Sequence, residues 1–163
     1  MAKKNLTITL HTSELIYDVQ NKTYLTGRSR YIGTNPEEVA NMQANEDEEN
    51  ENQLLRSIGN AFAYLKTRLS EYIEESASTA SNLLLTKDKD LTLVLVLPSN
   101  VNQATADTIS SLAHQYIVNL AMGDWFTITN KADAGDYIAK ADMNLQELRE
   151  AINKRVRPQR PTV

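Results

Sequence analysis

The chain has 163 residues, a formal net charge of −4 at pH 7 and no cysteine. With 41% hydrophobic and 23% charged residues, it is long enough for one domain with its own hydrophobic core. The lack of cysteine excludes disulfides, thiolate metal sites and cysteine nucleophiles, and the net negative charge gives no overall basic field that would attract nucleic acid.

The N-terminal elements are a predicted strand and a predicted helix. Apolar residues alternate with threonines over residues 6–10, as in a strand with one buried face. The alternation also replaces the apolar centre of a secretion signal, so we expect no secretion signal. Thr12 or Ser13 then caps a helix that runs toward Gly27, whose missing side chain suits a left-handed stop.

The middle of the chain holds a further helix start, an acidic segment and a long apolar stripe. Asn35 as N-cap, followed by Pro36, predicts a helix start with a capping box. Residues 45–52 contain no apolar side chain, and we expect a solvated segment there. Beyond it, spacings of three and four predict a helix for the core or for an interface, with an apolar stripe of Leu55, Ile58, Phe62, Leu65, Leu69 and Tyr72.

The next elements are a loop, a strand and a helix. Small polar residues from 76 and a polar turn at 87–90 predict a flexible loop. Residues 91–97 are apolar and branched, which predicts a buried strand that pairs with residues 6–10; this run is far shorter than the roughly 20 residues of a membrane span. A capping box at residues 100–103 starts a helix.

That helix is predicted to pass through Gly123. Trp125 and Ile128 fall on the face set by Ile117 and Ala121, which favours a continuous helix in spite of a cost of about 1 kcal/mol for the glycine.

The last predicted helix starts at Asn130 and packs back on the preceding one. Its apolar residues keep helical spacing from Tyr137 to Val156, and Pro158 ends it. The two helices predict an antiparallel hairpin in which Trp125 and Tyr137 belong to the core.

Together, these patterns predict a mainly α fold of about four helices in a bundle, with a small two-stranded β pairing. We expect a single domain over residues 1–156, with flexible segments near 43–53 and 76–90. Residues 157–163 should form an extended basic tail.

No catalytic, metal or cofactor pattern is present in the sequence. His11 and His114 lack the paired spacing of a helical metal site, and the acidic residues 46–51 lack the ligand positions and the glycine of a calcium loop. The five glycines are isolated, which gives no phosphate loop. The sequence therefore predicts a non-enzymatic protein without catalytic residues, metal, cofactor or small-molecule substrate.

The candidate contacts with partners are basic and apolar side chains. Prolines 158 and 161 should hold the tail extended, so that its guanidinium groups can pair with phosphates or carboxylates. A frayed, solubilising end is the equally simple alternative. The candidate contact residues are Arg155, Arg157 and Arg160 in the tail, Arg28 and Arg30 after the first helix, and Leu55, Phe62 and Leu69 in the apolar stripe.

Four stretches of the chain carry a resemblance to known proteins: residues 14–27, 97–100, 125–134 and 154–158. They resemble small uncharacterised proteins encoded in the structural-gene modules of phages and prophages of Bacteroides-like gut bacteria. The resemblance implies a virion-assembly component, at the head–tail junction or in the tail, that resides in the bacterial cytoplasm during assembly and then in the virion. It assigns no role to any residue, and the acidic residues 46–51 depart from it.

Two hypotheses for the function follow. The first is a structural protein that self-associates and binds other phage structural proteins, through the apolar stripe or the open edge of the strand pair, without membrane contact. The alternative is a nucleic-acid-binding accessory protein that uses the basic C-terminal arm, with affinity that falls steeply with salt.

Overall fold

A computed structural model describes residues 2–74 and 81–162. In these residues, five α-helices and one two-stranded sheet follow one another along the chain. The elements are β1 Lys3–His11, α1 Thr12–Ser29, α2 Pro36–Met42, α3 Glu48–Arg68, β2 Asp90–Pro98, α4 Ala106–Thr129 and α5 Lys131–Ile152. The mainly helical class is confirmed, with five helices instead of about four. The short α2 is separate because Gln43 adopts an extended conformation and ends it.

The sheet pairs β1 with β2 in antiparallel orientation, as the sequence predicts. Its register places Leu6 opposite Leu95 and Ile8 opposite Leu93, so the leucines and isoleucine share one face. That face packs into a single core cluster with side chains of α1, α3, α4 and α5. The other edge of β2 is bonded to residues 73–74, since the Glu74 amide donates to the Val94 carbonyl at 3.2 Å.

The predicted hairpin of α4 and α5 is confirmed, with Asn130 as the turn. Gly123 lies inside α4 and is buried. A Cβ atom there would lie 2.6 Å from Ile138 Cγ1, which is closer than the atoms can pack. The glycine therefore allows α5 to approach α4 closely at this point, a reason that the sequence did not reveal.

Two helix predictions at the C-terminal end are wrong. Ile128 is 73% exposed, so it does not share the burial of Trp125 on the predicted face of α4. α5 ends at Ile152, well before Pro158, because residues 154–156 leave the helix and bond to residues 100–102. Val156 therefore belongs to this extended segment and not to the helical stripe.

Residues predicted to cap or end a helix act differently in four cases. α1 is preceded by His11, so neither Thr12 nor Ser13 is its cap. Asn35 precedes α2 and Pro36 begins it, as predicted, but the Asn35 side chain accepts from the Ile32 amide and donates to the Arg30 carbonyl, so it holds the preceding loop and does not cap α2. Asn102 replaces residue 100 as the cap, accepting from Ala104 in the 3₁₀ turn Gln103–Thr105. Gly27 is helical and buried against Gln43, so close packing, and not a left-handed stop, accounts for it.

The segments expected to be flexible lie partly in helix and partly outside it. Within the 43–53 segment, α3 begins at Glu48. Residues 81–86 are irregular and 87–88 form a turn, whereas residues 76–80 of the predicted loop lie outside the described residues. Residues 157–162 are exposed and form neither helix nor strand.

Among the described residues, no helix combines the length and the apolar character needed to span a membrane.

Candidate interaction surface

The start of β1 and the end of the chain lie side by side against residues 99–102. The Ser99 amide donates to the Ala2 carbonyl at 3.0 Å, and the Val156 amide donates to the Asn100 carbonyl at 2.9 Å. The Asn102 amide donates to the Lys154 carbonyl at 3.0 Å. Two segments that are about 150 residues apart in sequence therefore meet at the N-terminal end of α4.

This meeting creates a basic surface that the sequence did not predict as a unit. Lys3, Lys4 and Lys154 belong to the bonded segments, and Arg157 and Arg160 follow Val156 along the chain. All five are exposed cations, and we call them the basic end. Asp107, in the first turn of α4, is a nearby carboxylate. Lys3 and Lys4 are visible in the sequence as a pair, but only the contacts with residues 99–102 place them beside the C-terminal arm.

Arg155 was predicted as a free arm residue, and the structure corrects this. Its guanidinium donates to the Ile152 carbonyl at 2.9 Å and to the Lys154 carbonyl at 3.3 Å. These are carbonyls at the end of α5, where a cation also interacts favourably with the helix dipole. Arg155 therefore caps α5, and Arg157 and Arg160 remain as the exposed arginines of the arm.

Arg28 and Arg30 lie at the opposite end of the molecule. Arg30 Nε donates to Asp133 Oδ2 at 3.0 Å, and its Nη2 pairs with Asp133 Oδ1. Asp133 starts α5, whose 22 residues span about 33 Å before the basic end is reached. The five predicted arginines therefore do not form one surface. At this end of the molecule Arg30 is paired with Asp133, and Arg28 is exposed.

The pairing of Arg30 with Asp133 shifts the pKa of both side chains. The hydrogen bond from Arg30 lowers the pKa of the Asp133 carboxyl, which burial alone would raise. The pKa of Arg30 is raised by the same bond. Asn130 Nδ2 also donates to Asp133 at 2.6 Å, so this carboxylate joins α1, the hairpin turn and α5.

The apolar candidates Leu55, Phe62 and Leu69 belong to the core. All three are buried and form part of the single core cluster. This supports the core alternative for the apolar stripe over the interface alternative, because at most 9% of each of these three residues is exposed. The open edge of the strand pair is the remaining candidate for self-association.

The hydrogen-bond pattern of the sheet shows which residues face that open edge. The Ser99 amide, just after β2, donates to the Ala2 carbonyl, whereas the Val94 carbonyl accepts from the Glu74 amide on the other side of β2. Odd-numbered residues of β2 therefore bond to β1, and even-numbered residues of β2 point away from it. In an antiparallel pair the bonded residues are directly opposite one another, which makes the even-numbered residues of β1 the bonded ones. The amides and carbonyls of Asn5, Thr7 and Thr9 therefore point away from β2. Among residues 2–74 and 81–162, no strand pairs with this edge.

An apolar cavity of about 280 Å³ lies beside the start of this free edge. It is lined by Leu6 and Leu97 of the sheet, by Val101, and by Ile109 of α4. Lys4 stands at its rim. The basic end thus combines a free strand edge, an apolar cavity and exposed cations within one region.

The histidines pair with single carboxylates. His11 Nδ1 lies 2.8 Å from Asp90 Oδ1, and this hydrogen bond raises the pKa of His11. His114 Nε2 lies 2.5 Å from Asp18 Oδ2, joining α4 to α1. Groups of three or more metal-binding side chains do not occur within the part of the chain that the structure describes.

No protein family, curated protein or solved structure matches this chain.

Proposed function

We propose that this protein is a non-enzymatic structural protein that self-associates through the free edge of β1 and serves in phage or prophage virion assembly. The unpaired amides and carbonyls of Asn5, Thr7 and Thr9 support self-association. The assembly role rests on the resemblance of residues 14–27, 97–100, 125–134 and 154–158 to phage structural-module proteins.

A second copy is the occupant that best fits this edge. A sheet of only two strands has marginal stability in water, and each free edge can pair with another strand. An antiparallel pairing of β1 with β1 of a second copy, centred on Thr7, would place Asn5 opposite Thr9. The amides and carbonyls of all these residues point to the free edge, so the pairing would give them backbone hydrogen bonds. It would form a four-stranded sheet across a two-fold axis.

The charges along β1 are compatible with this pairing. Centred on Thr7, it sets Lys3 opposite His11, whose ring bonds to Asp90. The Asp90 carboxylate then offsets the positive charge of Lys3, so the pairing juxtaposes no pair of lysines. The lysines at the strand start would disfavour a parallel, in-register pairing of the two copies, in which each lysine would lie beside its own counterpart.

Replacing Thr7 by proline tests the proposal. Proline removes the amide at the free edge while the bonded amides of β1, on even-numbered residues, remain. We expect light scattering over a concentration series to find dimers for the wild type and monomers for Thr7→Pro. The matched control Thr7→Val keeps the amide and a strand-forming side chain, and should remain dimeric.

Circular dichroism and thermal unfolding establish that Thr7→Pro is folded before its mass is compared. A wild-type protein that stays monomeric at millimolar concentration would overturn the proposal. A folded Thr7→Pro variant that dimerises as strongly as the wild type would exclude the β1 edge as the contact.

A further inference from the structure

The C-terminal arm, residues 157–162, is an exposed segment that forms neither helix nor strand. Its base is held in place by the chain around the start of α4. The Val156 amide donates to the Asn100 carbonyl at 2.9 Å, and the Asn102 amide donates to the Lys154 carbonyl at 3.0 Å. The arm therefore projects into solvent from a fixed point.

Two prolines restrict the backbone of the C-terminal arm. Pro158 and Pro161 hold their own φ at about −65°. Each proline also restricts the residue before it, Arg157 or Arg160, to extended or polyproline II conformations. Four of the six residues of the arm are therefore restricted in this way. A polyproline II helix is the regular structure that suits all four.

The same prolines exclude the other regular structures in which a peptide segment binds a protein. A helix through the arm is excluded, because Pro161 has no amide to donate and its ring would clash with the preceding turn. In a β-strand, successive amides point to opposite edges, so Pro158 removes a donor from one edge and Pro161 removes a donor from the other. Neither edge can bond fully as an added strand, and recognition as a polyproline II helix is the backbone mode that remains.

The sequence of the C-terminal arm repeats with the period of this helix. A polyproline II helix has three residues per turn, and the arm consists of the triplets Arg-Pro-Gln and Arg-Pro-Thr. One edge of the helix therefore carries Arg157 and Arg160, and a second edge carries Pro158 and Pro161. The repeats along each edge are about 9 Å apart. The arm thus separates a row of cations from a row of prolines.

These two edges define the surface that fits the C-terminal arm. Proline-rich segments in this conformation dock in grooves lined by aromatic side chains. Guanidinium groups pair with carboxylates through two parallel hydrogen bonds. Because the prolines already hold the backbone extended, binding loses less conformational entropy than the ordering of a flexible tail would. The complement of the arm is therefore an aromatic groove with carboxylates along one rim.

Nucleic acid fits the C-terminal arm less well. Phosphates would pair with the arginines alone and would leave the row of prolines without a contact. Residues 157–162 also contain no aromatic side chain that could stack on a base.

We propose that the C-terminal arm is a polyproline II ligand for a partner protein whose groove combines aromatic side chains with carboxylates. Pro158 and Pro161 pack on the aromatic side chains, and Arg157 and Arg160 pair with the carboxylates. This contact is independent of the β1 edge and of the proposed self-association.

The conformation of the C-terminal arm can be measured in the full chain. The chain has no cysteine, so Lys154→Cys/Thr162→Cys places two spin labels at defined positions. Double electron–electron resonance should give a narrow distribution around about 25 Å, the length of polyproline II between these residues. Adding Pro158→Ala/Pro161→Ala should broaden the distribution and shift it to shorter distances. Equal distributions for the two proteins would overturn the proposal.

Binding is tested with a fluorescently labelled SH3 domain that has carboxylates along its groove, because the groove of this domain class is lined by aromatic side chains. We expect saturable binding to the full chain, weakened at least about tenfold by Pro158→Ala/Pro161→Ala. Gln159→Ala/Thr162→Ala is the matched control, because it changes only the third edge of the helix. It should bind as the wild type does.

Replacing the arginines separates the two edges. Arg157→Gln/Arg160→Gln keeps the prolines, and it should weaken binding and reduce its dependence on salt. The absence of saturable binding by the wild type at millimolar protein would overturn the proposal, and so would equal binding by the wild type and Pro158→Ala/Pro161→Ala. Oligothymidine that displaces the SH3 domain and binds these two proteins equally would also overturn it, because the arm would then act through charge alone.

Discussion

At the residue scale, Asp133 is a charged side chain that two hydrogen-bond donors hold in place. It is buried, and it accepts hydrogen bonds from Arg30 of the loop after α1 and from Asn130 of the hairpin turn. The sequence predicted Arg30 as a contact for a partner and did not predict its pairing with Asp133. Nothing in the sequence joins two residues that are 103 positions apart, so this pair could be found only from the fold.

Replacing Asp133 by asparagine should destabilise the protein in a pH-dependent way. The pKa of Asp133 is lowered in the folded state, chiefly by the Arg30 hydrogen bond. Its stabilisation is therefore fully present above the unfolded pKa of about 4, and is lost as the pH falls through the lower folded pKa. We expect Asp133→Asn to lose about 1 kcal/mol at pH 7, a modest value because the partner Arg30 is half exposed.

Urea unfolding at pH 7, 5, 3 and 2 measures this effect. The difference in free energy of unfolding between the wild type and Asp133→Asn should shrink toward zero as the pH falls to 2. Asp142→Asn, at an exposed position of α5, is the control and should show no comparable difference. A difference that stays constant down to pH 2 would show that the ionised carboxylate is not the source of the stability.

At the scale of elements, the contact between α4 and α5 depends on one glycine. Periodicity alone predicted both helices and the continuation of α4 through Gly123, because an apolar stripe at helical spacing must be buried. Periodicity did not predict that Gly123 faces Ile138. It also failed at the end of α5, where the extended pairing of residues 154–156 with 100–102 replaces the expected helix.

Substituting Gly123 by alanine should therefore destabilise the hairpin. The new Cβ would lie 2.6 Å from Ile138 Cγ1, and such overpacking costs about 1–3 kcal/mol, more than the gain of up to about 1 kcal/mol in helix propensity. The double variant Gly123→Ala/Ile138→Ala removes the clash. We expect it to be at least as stable as Ile138→Ala alone.

The free energy of unfolding in urea, compared across the four members of this double-mutant cycle, measures the coupling. Gly135→Ala is the matched control on α5, because no atom lies within 4 Å of its added Cβ, and it should stabilise the protein. Additive effects of Gly123→Ala and Ile138→Ala would contradict the close contact.

At the scale of the whole molecule, the basic end provides the test of the nucleic-acid alternative. If phosphates bind there, Lys3→Glu/Lys4→Glu should weaken binding in a gel shift as much as Arg157→Glu/Arg160→Glu does, with a steep dependence on salt. Arg28→Glu, about 33 Å away by the length of α5, should leave binding unchanged. Equal effects of all three variants would indicate a diffuse charge effect, and no binding by the wild type would exclude this alternative.

The sequence by itself determined the helical class, the pairing of residues 6–10 with 91–97, and the hairpin of the last two helices. These features follow from periodic burial and local turn chemistry, which act over a few residues and are therefore readable in a linear pattern. Helix ends and caps, such as Asn35 and Asn102, were less predictable because a polar side chain has several local partners to choose from.

Only the tertiary structure decided which surfaces remain for partners. It buried the α3 stripe, made Arg155 a cap, paired Arg30 with Asp133, and brought Lys3 and Lys4 to the C-terminal arm. Each of these outcomes depends on contacts between residues far apart in the chain, and the spacing of residues in a sequence carries no information about which distant side chains will meet.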